Sequence, residues 1–307
     1  MKLIQSDIQP RELFSKYQPT SRLGKVFHHP LLRFITILLF FVPIFLVNSL
    51  VVFQLIIDQP EPLASYIDII RMLISIPLFI LSYRFYCQII EKRDAVEIGL
   101  KGSLKEWLFG SLVATMLILL FVSLIELFGD FIIVDWRSNL TMVNNFFMFG
   151  IGALFQDVIL LCVIYRLIEE YAGSWIAIIT SLTLFAAVHL LNENENLLSA
   201  FMLILSSVIM LAPFILTRKI WFTWGFHTGW NFLQAGVFGM PNSGIKFDGW
   251  IISEVQGPEW LTGGEVGLEA SYLSVGIEFV IGLLILKAAI KSGKIIGKPL
   301  KSSDQTD

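Results

Sequence analysis

Apolar residues in this chain come in long runs rather than in alternation. Stretches of about 20 apolar residues, the length that crosses ~30 Å of hydrocarbon, recur at about 34–57, 65–90, 107–127, 146–168, 175–191, 199–217, 221–238 and 271–290. Runs of that length with few charges predict membrane-spanning helices. The pattern therefore predicts an all-α polytopic membrane protein of about eight transmembrane helices. It divides into an N-terminal segment over 1–33, a single transmembrane domain over 34–290 and a tail over 291–307. No soluble domain, internal repeat or low-complexity segment is evident. The longest stretch between runs, about 239–270, is rich in glycine and carries Trp250 and Trp260. Such a loop is expected to fold back onto the helices, with its indoles at headgroup level.

Composition agrees with the pattern: 55% of the 307 residues are hydrophobic and 15% charged, an apolar excess over soluble domains. Charge then orients the chain, because cytoplasmic loops collect Lys and Arg. Lys2, Arg11, Lys16, Arg22, Lys25 and Arg33 precede the first span; Arg84, Lys92, Arg93, Lys101 and Lys105 follow the second. Arg166, Arg218 and Lys219, and the tail lysines 287, 291, 294, 298 and 301, fall on the same side of an eight-span chain. Both termini are thus expected in the cytoplasm, with only Arg137 and Lys246 opposite. The opposite loops are acidic, from Asp58 and Glu61 to Glu265 and Glu269. Some 30 polar and basic residues precede the first run, which speaks against a cleaved signal peptide. Cys87 and Cys162 lie in or at the end of spans and read as buried thiols rather than a disulfide framework. Asp68 and Arg71, spaced i, i+3 in the second span, read as a self-neutralising pair.

Polar side chains inside a membrane need a partner, a cavity or a job. They concentrate in three runs: Gln156 and Asp157 in the fourth, His189 in the fifth, and His227, Asn231 and Gln234 in the seventh. At ~1.5 Å of rise per residue, Gln156, His189, His227 and Asn231 share a band in the inner and middle membrane. His227 and Asn231 are i and i+4, on one helix face. The band suggests a functional cavity. No cofactor is implied. Two histidines with Asp157 have the chemistry of a metal site, so His189, His227 and Asp157 are a metal alternative, but no HExxH helix supports it. Glu169 and Glu170 sit at the cytoplasmic boundary and read as solvated interfacial acids.

The motif Phe185-Ala186-Ala187-Val188-His189 is FxxxH, and His227-Thr228-Gly229-Trp230-Asn231 is HxxxN. With the following GPEWLTGGEVGLEAS, they make the chain, over about 91–278, resemble the CPBP family of intramembrane proteases. That family includes the type II CAAX prenyl endopeptidases and the bacterial Abi and bacteriocin-immunity proteins. The family's EExxxR motif registers here on Gln156-Asp157-Val158-Ile159-Leu160-Leu161, so both glutamates and the arginine are changed. The resemblance implies a multi-pass protein of a bacterial cytoplasmic membrane and a membrane-embedded or lipidated peptide or protein as partner. No nucleic acid is expected. It also implies that the first Glu would activate water while the His and Asn side chains orient it and stabilise the oxyanion. A glutamine amide takes no proton near neutral pH. The expectation is therefore a catalytically impaired family member with site residues Gln156, Asp157, His189, His227 and Asn231. The competing readings are an active endopeptidase with Asp157 as base, and a non-enzymatic binder in bacteriocin immunity or processing. A transporter would also use many spans, but no paired interrupted helices support one.

Overall fold

The computed structural model describes residues 6–47, 59–60 and 62–298. Lys2, the second half of the first expected span, the loop acids Asp58 and Glu61, and Lys301 lie outside the described residues. In chain order the helices are α1 (Arg22–Phe27), α2 (Pro30–Leu46), α3 (Leu63–Ile89), α4 (Ser103–Phe128), α5 (Asn139–Ala172), α6 (Ser174–His189), α7 (Leu197–Thr217), α8 (Trp221–Asn231), α9 (Glu259–Thr262) and α10 (Tyr272–Lys291). Of these, α3, α4, α5, α7 and α10 are long and apolar enough to cross a membrane. The three remaining expected spans coincide with shorter helices. These are α2 as far as it is described, α6, and α8 with its continuation over Phe232–Val237.

Helix starts follow from local chemistry. Ser138, Asn196 and Ser271 cap α5, α7 and α10 by accepting hydrogen bonds from backbone N–H groups of the first turn, which would otherwise be orphaned. The turn between α5 and α6 requires Gly173, whose φ of +88° favours glycine and whose added Cβ would lie 2.9 Å from the Gly297 backbone.

Helices α4 and α8 approach closely, and small residues make the approach possible. A Cβ at Gly110 would meet the Phe222 carbonyl oxygen at 2.1 Å, and one at Gly225 the Trp107 carbonyl oxygen at 2.1 Å. Ser111 Oγ donates across this seam to the Gly225 carbonyl at 3.0 Å.

Two strands, unforeseen in the sequence, join the α4–α5 connection to the one between α8 and α9. β1 (Asp130–Trp136) pairs antiparallel with β2 (Ile251–Gln256), from Asp130 opposite Gln256 to Trp136 opposite Ile251, with an irregularity between Ile133 and Asp135. The glycine-rich loop does fold back, held by this ribbon and by Trp250 stacked edge-on against Trp136 at 4.7 Å.

At the opposite end lies a buried ionic network. Arg33, Arg93 and Arg166 converge on Glu91 with N···O distances of 2.6, 2.7 and 2.7 Å. Arg93 also pairs with Glu97 at 2.7 Å, and Arg33 with Glu170 at 2.9 Å. The expectation that Glu169 and Glu170 are solvated is wrong. Glu169 is fully buried against Arg218 at 2.5 Å, and Glu170 is mostly covered by Arg33 and Arg166. Arg33 and Arg218, distant in sequence, reach them there, which a local reading of the helix end could not anticipate. Cys87 and Cys162 are buried free thiols, and Asp68 pairs with Arg71 at 2.5 Å, as expected.

Candidate functional site

A cavity of about 1080 Å³ opens between α5, α6 and α8, and Gln156, His189, His227 and Asn231 all line it. Four of the five expected site residues are thus brought together. The fifth, Asp157, is fully buried beside the cavity. Successive helix residues point ~100° apart, so the accessible side chain is Gln156 and the covered one is its neighbour.

The helices widen at the site. From Val158 to Tyr165, immediately after Asp157, α5 is π-helical; α8 passes into π-helix at Phe232, immediately after Asn231. Such i→i+5 turns are rare and concentrate at functional sites. Nothing in the apolar run VILLCVIY distinguishes π from α turns.

Hydrogen-bond partners fix the polarity of each group. His189 Nδ1 lies 2.8 Å from the Phe185 carbonyl oxygen; a carbonyl only accepts, so Nδ1 carries the proton and Nε2 the lone pair. His227 Nδ1 lies 3.0 Å from Asp157 Oδ1, which places its proton in the same way when the carboxylate is ionised. Both rings pack on Phe185, with centroid separations of 4.5 and 6.5 Å. The hydrogen-bond partner of Asp157 is thus His227 on α8. Asp157 Oδ2 has no hydrogen-bond partner.

Asn231 is oriented by a relay that the sequence reading missed. Asn242 Nδ2 donates to Asn231 Oδ1 at 3.1 Å and to Glu269 Oε1 at 2.7 Å. Trp230 Nε1 and Gln234 Nε2 also donate to Glu269, at 3.1 and 2.9 Å. Burial pushes the Glu269 carboxyl up from its ordinary value, while the hydrogen bonds from Gln234 and Trp230 pull the other way. A carboxylate taking three N–H donors obliges Asn242 to present nitrogen, and Asn231 to present oxygen to it. Asn231 Nδ2 is then left as a donor. Glu269 sits within GPEWLTGGEVGLEAS, so the signal was in hand without its geometry. Glu278 on α10, which also lines the cavity, accepts from Ser274 Oγ at 2.7 Å.

With Asp157 ionised, the site therefore offers two imidazole lone pairs, an amide N–H donor and the Gln156 amide around one cavity. It can hold a water by its protons and a carbonyl oxygen by its lone pairs. Among the described residues no three His, Cys, Asp or Glu side chains are grouped as a metal would require, so the alternative set His189, His227 and Asp157 is not assembled.

No curated protein and no solved structure matches the chain. Residues 137–233 match a family model described as type II CAAX prenyl endopeptidase Rce1-like. That segment runs from the start of α5 to just past Asn231 and so contains all five expected site residues. The match covers about a third of the chain, and over that segment the chain is similar to the type II CAAX prenyl endopeptidases that its motifs resemble.

Proposed function

We propose that this chain is a CAAX-protease-like protein of the cell membrane, with about eight spans and both termini in the cytoplasm. Its cavity binds a membrane-associated peptide, prenylated or otherwise lipidated. Carboxylate-activated hydrolysis by the family's route is absent. One observation carries this reading: the family's base position is an accessible Gln156, while the adjacent Asp157 is covered and committed to His227. The mostly apolar cavity walls with a polar band at one level suit a peptide with an apolar anchor. The match over 137–233 supports the peptide class. Binding without cleavage, in bacteriocin immunity or in processing of an exported peptide, is the form this function takes if no other base acts.

The test uses purified protein in nanodiscs and a photo-crosslinking farnesylated peptide. Saturable labelling is expected, competed by unlabelled farnesylated peptide and lost in Gly152→Trp. Gly152 lines the cavity and an added Cβ there meets nothing within 4 Å, so the indole fills the cavity without disturbing the helix. Labelling that is non-saturable, or indifferent to Gly152→Trp, would overturn the reading.

A further inference from the structure

We propose that Asp157 and His227 together replace the missing glutamate. His227 Nε2 is the general base that activates water, and Asp157 is the positioning residue that holds its tautomer and stabilises the imidazolium. This rests on the reading above that a peptide occupies the cavity, and adds a hydrolytic activity to it.

Three features support the pair. His227 lines the cavity, its Nδ1 is held 3.0 Å from Asp157 Oδ1, and its Nε2 has no protein partner among the described residues. A carboxylate behind an imidazole is the arrangement that makes histidine a base in hydrolases of unrelated folds. His189 lacks such support, because its Nδ1 faces only the Phe185 carbonyl. A carbonyl oxygen fixes a tautomer but supplies no full negative charge against an imidazolium. His189 Nε2 is thus suited to holding the water, and His227 Nε2 to taking its proton. Asn231 follows His227 by four residues on the same face, and its amide N–H is oriented by Asn242 and Glu269.

The step balances without a metal or redox partner. Water oxygen bonds to the peptide carbonyl carbon as one water proton passes to His227 Nε2. The carbonyl π pair moves onto oxygen, which accepts a hydrogen bond from Asn231 Nδ2. On collapse the C–N bond breaks, and the proton on Nε2 passes to the leaving amine, returning the imidazole to its neutral form. Asp157 keeps its charge throughout.

The experiment combines turnover of a quenched farnesylated peptide by the full chain in detergent with photo-labelling of the same preparations. The parent should cleave, and Asp157→Asn should lower kcat by about 10²- to 10⁴-fold, the span expected for general-base assistance, with KM little changed. His227→Ala should fall similarly and be partly rescued by added imidazole, which a merely structural histidine would not allow. In the His227→Ala background, Asp157→Asn should cost nothing further, because the two act as one unit. Labelling without cleavage by the parent would overturn the inference and leave peptide binding intact. Cleavage insensitive to Asp157→Asn, or a His227→Ala loss that imidazole does not rescue in a protein that still labels, would also overturn it. Absence of both labelling and cleavage would overturn the underlying function instead.

Discussion

Gly225→Ala tests whether the α4–α8 seam sets the position of the site. The added Cβ would lie 2.1 Å from the Trp107 carbonyl oxygen, whereas real Cβ atoms essentially never approach within 3.0 Å, so the two backbones must separate by about 0.9 Å. Neither partner can rotate away, because the clash is with main chain. α4 cannot give locally either, since Gly110 makes the reciprocal approach to the Phe222 carbonyl. His227 and Asn231 lie two and six residues beyond Gly225 on α8 and would move with it. Overpacking of this kind costs about 1–3 kcal/mol, and displacement of reacting groups by ~1 Å lowers rates by on the order of 10²-fold. The assay is thermal unfolding of the purified protein together with farnesylated-peptide turnover. Gly276→Ala on α10, where a Cβ meets nothing within 4 Å, serves as control. It should be neutral or stabilising by up to about 1 kcal/mol, since alanine favours the helix. A Gly225→Ala protein with unchanged melting temperature and turnover would refute the argument that this approach is tight.

The ionic network yields two further expectations. Glu169→Ala leaves Arg218 buried without its carboxylate and should cost about 3–5 kcal/mol, while Glu169→Leu combined with Arg218→Met should recover most of that loss; chemical denaturation of the three proteins decides. For Glu91, burial alone would raise the carboxyl, but Arg166, Arg93 and Arg33 outweigh it and hold the group well below its ordinary 4.5. A depressed carboxylate contributes stability that is complete above its unfolded value and is lost as pH falls toward the folded one. Melting temperature should therefore be flat down to about pH 5 and decline below it, and Glu91→Gln should lower the plateau and flatten the decline. A parent whose stability is unchanged between pH 5 and 3 would contradict this.

The helical segments were legible because the bilayer leaves so few solutions that apolar run length alone nearly fixes them. Chemistry was legible where residues lie close in sequence on one helix, as His227 and Asn231 do. It was not legible where partners come from elsewhere. Glu269 reaches Asn231 through Asn242, from beyond a ribbon whose strands show no strong alternation of their own. Glu169 read as solvated because its partner Arg218 lies 49 residues away. Four arginines counted as cytoplasmic loop charges, Arg33, Arg93, Arg166 and Arg218, are buried and paired in the folded chain. A charge that orients a loop during insertion need not stay in water afterwards, so both readings of these residues are compatible.

Two of the departures from the first motif, Asp157 and Leu161, are connected. In the family pattern the second acid and the Arg are i and i+4, a spacing that pairs them on an α-helix. Here α5 turns π-helical directly after Asp157, and position 161 carries a leucine, which offers that carboxylate no charge. Leu161 is buried in the apolar core. Asp157 must then find its partner on another helix, and the seam that presses α8 against α4 presents His227 to it. Without a cation four residues on along its own helix, Asp157 is left to hold an imidazole.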